Sequence, residues 1–168
     1  MVCIIDGEIT MSDVEITKVQ RIVEAQLRAD VFLRGFLDRD PQKKMLLSQQ
    51  IRPREEDWNT VFVEDAMDAF RRYYEPFLTG NIVPAGKVNQ TELKLSAAQA
   101  EHLVYKNPLS RRFPGGYKKV AHLFQPQTIW LAWKYTEPGR TVGMAYDGLV
   151  FLPDDRFVWF PKPWRAIQ

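Results

Sequence analysis

The sequence predicts an α+β domain in which three to four N-terminal helices pack on one face of a C-terminal antiparallel β-meander. Three observations lead to this prediction. Capping signals and apolar residues at helical spacing dominate the first part of the chain. After residue 118, short runs rich in β-branched and aromatic residues are separated by turn signals. Helices that precede a run of strands are typical of α+β domains.

The first helix is predicted over residues 13–29. Ser12 and Glu15 form a capping box at its start, in which each side chain bonds a free backbone amide of the first turn. Apolar residues then recur at helical spacing, namely Val19, Ile22, Val23 and Leu27. Residues 1–10 read as a dispensable N-terminal extension, because the segment that begins at Met11 resembles a second start.

Two more helices are predicted from the positions of prolines. Asp40 followed by Pro41 is a typical helix start, with an N-cap side chain and a proline in the first turn. This helix should end before Pro53, because the residue before a proline avoids the helical conformation. Pro53 itself can open a third helix, which we expect to run to about Tyr74.

A fourth, short helix and a series of strands complete the prediction. The pattern from Ser96 to Gln99 resembles a second capping box, and it opens a short helix that Asn107-Pro108 closes. Asp147-Gly148 is a typical two-residue hairpin turn, so we expect the chain to reverse direction there. The predicted strands cover residues 120–124, 129–135, 141–146, 149–152 and 156–160.

Length and composition favour one globular domain. The chain has 168 residues, of which 45% are hydrophobic and 26% are charged, so we expect residues 1–168 to form a single domain. The single cysteine, Cys3, excludes an intrachain disulfide. No apolar run reaches the roughly 20 residues of a membrane-spanning helix, and no basic leader precedes the apolar N-terminus. These features predict a cytoplasmic protein without a membrane partner.

The two halves of the chain differ in charge and in aromatic content. Residues 1–80 carry a net charge of −4, whereas residues 81–168 carry +6. Nine of the 21 aromatic side chains and four of the five tryptophans lie in residues 129–168. Because aromatic and arginine side chains are favoured at interface centres, this stretch predicts a partner-binding surface. Its predicted contact residues are Trp130, Trp133, Trp164 and Arg165.

Two structural alternatives account for the same tryptophans without a partner. The strand that carries Trp130 and Trp133 is apolar on both of its faces, so it can be covered on both sides inside the domain. Trp164 lies in a proline-containing tail and can plug the edge of the core. Both alternatives remain open at the level of sequence.

The segment 106–119 is the most basic stretch of the chain. It holds five basic residues, no acidic residue and the pair Gly115-Gly116, which permits a close approach of the backbone. Such a loop can bind phosphates while Tyr117 or Phe113 stacks on a base. The candidate phosphate- or nucleic-acid-binding residues are Arg111, Arg112, Tyr117, Lys118 and Lys119. A solvated loop and a docking site for an acidic protein are the alternatives.

No motif of an enzyme class is present. The chain has two histidines, His102 and His122, and lacks nucleophile-elbow, phosphate-loop and zinc-protease signatures. We therefore assign no catalytic residue, no metal site and no cofactor. The leading interpretation is a non-enzymatic binding protein, of adaptor, inhibitor or immunity type, that acts through its basic, aromatic-rich C-terminal half.

Two other functions remain open. One is a nucleic-acid-associated protein that uses the loop 106–119, and the other is a small enzyme with a pocket between helices and sheet. A protein is the first expected partner, nucleic acid is the second, and a second copy of the chain in a homodimer is the third.

Overall fold

The structure, a computed structural model, describes the backbone of residues 2–5, 8–11 and 13–168, and the side chains from residue 16 onward. The predicted capping residue Ser12 and the side chain of Glu15 lie outside these described residues. The helices are Asp13–Arg34 (α1), Pro41–Gln50 (α2), Asp57–Val61 (α3), Met67–Thr79 (α4), Ala100–Leu103 (α5) and Tyr117–Val120 (α6). The strands are Val2–Ile5 (β1), Glu8–Met11 (β2), Glu92–Gln99 (β3), Ile129–Thr136 (β4), Gly143–Phe151 (β5) and Phe157–Trp159 (β6).

The predicted fold class is confirmed. Strands β3 to β6 form a four-stranded antiparallel sheet in the order β3-β4-β5-β6, and most of the helical residues precede it in the chain. Strands β1 and β2 form a separate two-stranded hairpin within the segment that the sequence suggests is an extension. Whether that segment is dispensable stays a prediction.

Helices cover both faces of the large sheet, not one face as predicted. Side chains of a strand point to opposite faces in turn, and β4 is apolar at nearly every position, so each of its faces needs a cover. On one face, here called the aromatic face, Trp130 packs with residues of α3, α4 and α6, such as Trp58 and Phe70. On the other, the α1 face, Leu131 packs with Ala29 of α1 and other residues.

The predicted helix starts at Asp40 and at residue 13 agree with the structure, whereas the third helix is interrupted. Asp40 accepts a hydrogen bond from the backbone amide of Gln42 at 2.9 Å, and α2 ends before Pro53 as predicted. The predicted long helix from Pro53 to Tyr74 is wrong. The amide of Val63 donates to the Leu123 carbonyl at 2.9 Å, and this long-range pairing holds Phe62 and Val63 in an extended conformation between α3 and a 3₁₀ turn at Glu64–Ala66.

Two further local predictions are also corrected. Residues 92–99 form strand β3, so Ser96 pairs with Ala132 in the sheet and caps no helix. Residues 120–124 are not a strand, because α6 and a 3₁₀ turn at 121–123 occupy them. The sheet partner of a segment therefore overrides its local capping pattern.

Asp147-Gly148 is a β-bulge and not a hairpin turn. Leu131 pairs with Leu149 and Ala132 pairs with Asp147, which leaves Gly148 as the extra residue of β5. Gly148 has a φ of +85°, and the Phe160 carbonyl occupies the space where a Cβ would lie. The strands predicted at 141–146 and 149–152 are thus a single strand, because both segments pair with β4.

Within the part of the chain that the structure describes, no helix has both the length and the apolar character to cross a lipid bilayer.

Candidate binding groove

An open groove lies on the aromatic face of the sheet, beyond the area that the helices cover. The covered row contains Ala98, Trp130 and Val150, which belong to the core. The next rows of the same face form the floor of the groove. They are Ser96, Ala132 and Asp147, followed by Lys94, Lys134 and Ala145. The groove therefore begins where the helical cover ends.

Two segments from outside the sheet form the walls. Arg112 and Phe113 come from the basic loop, and Lys162 and Trp164 come from the C-terminal segment. The volume of the open groove between them is about 550 Å³, which lies within the usual range of small-ligand pockets. The groove thus joins the two parts of the sequence that were considered separately, the basic loop and the aromatic C-terminus.

Trp164 forms part of a wall because Gly116 leaves room for its ring. A Cβ on Gly116 would collide with the indole ring, so only glycine fits at this position without displacing Trp164. The indole also lies 5.5 Å from the Tyr117 ring, centroid to centroid. The pair Gly115-Gly116 was predicted to admit a ligand, but the close approach at Gly116 is made by the chain's own Trp164.

Four cationic side chains line the groove without a salt bridge to any described residue: Lys94, Arg112, Lys134 and Lys162. The Lys94 ammonium donates to the Arg140 carbonyl at 2.8 Å, and the Lys134 ammonium donates to the Thr141 carbonyl at 2.9 Å. These carbonyls orient the two lysines but leave their charges uncompensated. Several like charges around one concave surface produce a positive potential that attracts anions.

A buried carboxylate, Asp147, lies at the inner end of the groove. Its Oδ1 accepts hydrogen bonds from the Tyr117 hydroxyl at 3.0 Å and from the backbone amide of Lys162 at 2.8 Å. Burial raises the pKa of Asp147, and these two hydrogen bonds oppose the rise because they stabilise the ionised form. Burial, reinforced by the neighbouring Asp147, raises the pKa of Tyr117 well above its usual value. Tyr117 is therefore a hydrogen-bond donor at neutral pH.

Asp147 also fixes the C-terminal wall of the groove. Its backbone carbonyl accepts from the Trp159 indole at 2.9 Å, and the carbonyl of Gly148 accepts from the Phe160 amide at 2.7 Å. Lys162 follows with a φ of +51°, a left-handed conformation that is unfavourable for a residue with a Cβ. The hydrogen bond from the Lys162 amide to Asp147 compensates for this conformation, so Asp147 is a positioning residue for Lys162.

The structure corrects the predicted aromatic surface. Trp130 and Trp133 are 0% and 2% exposed, so neither ring is available to a partner in this fold. Their burial follows from the helices on both faces of β4, which is the alternative that the sequence offered for this strand. Trp164 is half-buried and lines the groove, whereas Arg165 is exposed outside it. A role of Trp164 and Arg165 in binding stays a prediction.

The predicted phosphate-binding residues separate into three groups. Tyr117 is buried and cannot stack on a base as predicted, because its ring packs in the core and its hydroxyl is bonded to Asp147. Arg112 lines the groove. The other three, Arg111, Lys118 and Lys119, are exposed outside the groove. Their binding of phosphate stays a prediction.

Four residues of the groove were not identified from the sequence: Lys94, Lys134, Asp147 and Lys162. Lys134 is the one charged residue within β4, and Asp147 is the one charged residue within β5, which is a signal that sequence reasoning could have used. The two histidines, His102 and His122, are exposed and lie outside the groove.

Comparisons with known protein families, with curated proteins and with solved structures gave no match to this chain. A function must therefore be inferred from the chemistry of the groove itself.

Proposed function

We propose that this chain is a non-enzymatic binding protein that takes an acidic segment of a partner protein into its basic groove. The single observation that carries the proposal is the convergence on one groove of four cations that form no salt bridge with any residue the structure describes: Lys94, Arg112, Lys134 and Lys162. An adaptor, an inhibitor and an immunity-type module would all use such a surface. Electrostatic complementarity of this kind accelerates association and selects against cationic partners.

The walls favour a peptide over a nucleic acid. Proteins that bind single strands offer exposed aromatic rings on which bases stack. Here Phe113 and Tyr117 are buried, and Trp164 is half-buried with its ring against Gly116. Phe113, Pro114 and Trp164 supply apolar wall surface beside the cations, which suits a segment that mixes carboxylates with apolar side chains. Asp147 at the inner end offers a hydrogen-bond acceptor to a peptide amide.

An acid–base enzyme has less support. Asp147 is the one carboxylate among the described residues that line the groove, and its Oδ1 is already engaged by the Tyr117 hydroxyl and the Lys162 amide. Neither histidine lies near enough to line the same groove. Asp147 therefore acts on the shape of the wall through its hydrogen bonds.

The test is a binding measurement with two matched triple variants. The probe is a fluorescently labelled deca-glutamate peptide, followed by anisotropy, with deca-lysine as the reversed-charge control. The groove variant is Lys94→Gln/Arg112→Gln/Lys162→Gln. The loop variant is Arg111→Gln/Lys118→Gln/Lys119→Gln, which loses the same three charges of the same residue types outside the groove. Both variants replace exposed side chains, so both should fold.

We expect the groove variant to bind deca-glutamate at least about tenfold more weakly, which corresponds to ~1.4 kcal/mol. The loop variant should stay within about threefold of the wild type, because its charges lie outside the groove. Equal losses in both variants would mean that net charge and not the groove governs binding, and would contradict the proposal. A tighter complex with single-stranded DNA than with deca-glutamate, lost in the loop variant, would favour a nucleic-acid-associated protein instead.

A further inference from the structure

Only one of the two oxygens of the Asp147 carboxylate is bonded within the part of the chain that the structure describes. Oδ1 accepts from the Tyr117 hydroxyl and the Lys162 amide, whereas Oδ2 has no hydrogen-bond partner among the described residues. The described side-chain atoms that are sealed from solvent without a partner belong to Gln99, Trp133 and Thr136. Oδ2 is not one of them, so this oxygen opens onto the groove that Asp147 lines. The groove therefore holds an unused acceptor on a side chain that is only 5% exposed.

The charge of this carboxylate is also without a counter-ion in contact. Asp147 forms no salt bridge with any described residue, although four cations line the same groove. The two donors to its Oδ1 are uncharged. A carboxylate that is removed from water gains most from a charged partner, because a hydrogen bond between two ionised groups is roughly twice as strong as a neutral one. The free oxygen thus favours an ammonium group over a neutral amide.

The opposite charges of the groove lie at different depths. Asp147 lies in the inner row with Ser96 and Ala132, beside the core. Lys94 and Lys134 lie in the next row outward, two residues farther along their strands, which is about 6.6 Å. The small side chains of Ser96 and Ala132 leave space in front of the carboxylate. A complementary ligand therefore carries a positive group at its leading end and negative groups directly behind it.

The core closes the inner end of the groove. Trp130 occupies the next row inward and is fully buried, and Phe113 and Tyr117 are 6% and 1% exposed. A polypeptide cannot continue inward past these rings, so the part of it that reaches Asp147 is a chain end. Of the two ends, the C-terminus carries a carboxylate, whereas the N-terminus carries an ammonium group below a pH of about 7.7. Asp147 therefore selects the N-terminus.

We propose that the groove binds the free N-terminus of an acidic chain, whose α-ammonium group donates to Oδ2 of Asp147 while carboxylates of the next few residues lie against Lys94 and Lys134. This inference rests on the proposed function and makes it more specific, because it names the part of the partner that enters. An internal acidic segment would meet the cations but would present only neutral amides to Asp147. The cations supply the attraction, and the buried carboxylate supplies the selection.

The test compares two deca-glutamate peptides that carry their fluorescent label at the C-terminus, one with a free and one with an acetylated N-terminus. Anisotropy is measured at about pH 6.5, where the free α-amino group is protonated. Acetylation removes the one positive charge of the peptide and makes it more acidic. A groove that responded to net charge alone would bind the acetylated peptide at least as tightly. We expect the opposite, a loss of about tenfold, because the charge-assisted hydrogen bond to Asp147 is removed.

Asp147→Asn assigns the preference to this residue. The asparagine keeps an acceptor oxygen for the Tyr117 hydroxyl and the Lys162 amide, but it presents an uncharged NH₂ group in place of Oδ2. This variant should lose the preference for the free N-terminus. The matched control is Asp65→Asn, which removes the same charge from an exposed residue outside the groove and should keep the tenfold preference. Thermal melting verifies that both variants fold, and the two peptides on the wild type decide the proposal even where Asp147→Asn does not.

Four outcomes would overturn the inference. A wild-type protein that binds the acetylated peptide as tightly as the free one would overturn it and leave the proposed function intact. So would a preference for the free N-terminus that persists in folded Asp147→Asn. Full affinity for an acetylated peptide with lysine at its first position would assign Asp147 to a lysine side chain instead. Failure of both deca-glutamate peptides to bind would overturn the proposed function together with this inference.

Discussion

The aromatic face of the sheet has one half that the helices bury and one half that forms the open groove. Strand β4 passes through both halves. In the covered half, Trp130 is fully buried and stacks on Phe124 with ring centroids 4.0 Å apart. In the open half, four residues farther along β4, Lys134 extends from the same face into the groove. The helices end between these positions, and the C-terminal segment forms a wall instead of a lid. A binding groove is thus formed where the cover of a continuous sheet stops.

The two halves also differ in the partners of their buried carboxylates. Asp57, beside the covered half, is bonded to the Arg156 guanidinium at 2.6 Å and to the Arg54 amide at 2.8 Å. The bond to Asp57 is the main cause of the raised pKa of Arg156. Asp147, in the open half, is held by uncharged donors. One carboxylate therefore forms an internal ion pair, and the other lies next to cations that stay available to a ligand.

The largest expected effect is that of Trp130→Ala. Removing a fully buried indole leaves a cavity in the covered half, so the free energy of unfolding should fall by about 3–5 kcal/mol in chemical denaturation. The control is Lys134→Ala in the open half of the same strand, which should change it by less than about 0.5 kcal/mol. Similar losses in both variants would show that the two halves are equally packed.

Asp57→Ala should have the next largest effect. It leaves the guanidinium of Arg156 and the amide of Arg54 without this acceptor, and breaking a buried pair in this way costs about 3 kcal/mol. Asp154→Ala removes the other, exposed carboxylate that Arg156 contacts at 2.7 Å, and should cost less than about 1 kcal/mol. Equal unfolding midpoints in urea for the two variants would contradict the distinction between a buried and an exposed pair.

Trp164→Ala tests whether the wall of the groove belongs to the core. The ring is half-buried, so we expect the folded protein to persist with a loss of about 2 kcal/mol, smaller than for Trp130→Ala. The affinity of the Trp164→Ala variant for deca-glutamate should also fall, because the substitution removes part of the groove's wall. An unfolded Trp164→Ala protein would place this ring in the core, and a folded protein with full affinity would remove Trp164 from the groove's binding surface.

The smallest expected effect is the contribution of Asp147 to the pH dependence of the free energy of unfolding. Burial raises its pKa in the folded state above the value of about 3.9 for an unfolded aspartate, so the folded state binds the proton more tightly. The stability contribution of Asp147 is therefore complete below about pH 4 and is lost as the pH rises through the folded pKa. The measurement is the free energy of unfolding of the wild type minus that of Asp147→Asn, from about pH 3 to pH 7. This difference in the free energy of unfolding should decrease as the pH rises. A difference that does not change with pH would contradict the burial of an ionisable Asp147.

Part of the candidate site was predictable, and the rest depended on which segments meet. Arg112 and Trp164 were identified because their types and surroundings are unusual in the sequence. Trp130 has the same residue type as Trp164, and Tyr117 lies in the same basic segment as Arg112, but both Trp130 and Tyr117 are core residues. The exposure of a side chain depends on what packs above it. Lys94 and Lys162 join the groove only through strand pairing and a tail that returns across the sheet.

The sequence by itself determined those features that act within a few residues. The side chain of Asp40 caps the helix that Pro41 opens, and the apolar run at residues 129–135 forms the strand that its composition predicts. Only the tertiary structure decided whether Asp147-Gly148 reverses the chain or forms a bulge, because Gly148 supplies the required positive φ in either case. Here both flanking segments pair with β4, and the ladder of interstrand hydrogen bonds outweighs a local turn preference. The orientation of α1 was decided in the same way, because the sheet accepts its small Ala25 and Ala29 at close range and leaves the larger Leu27 exposed.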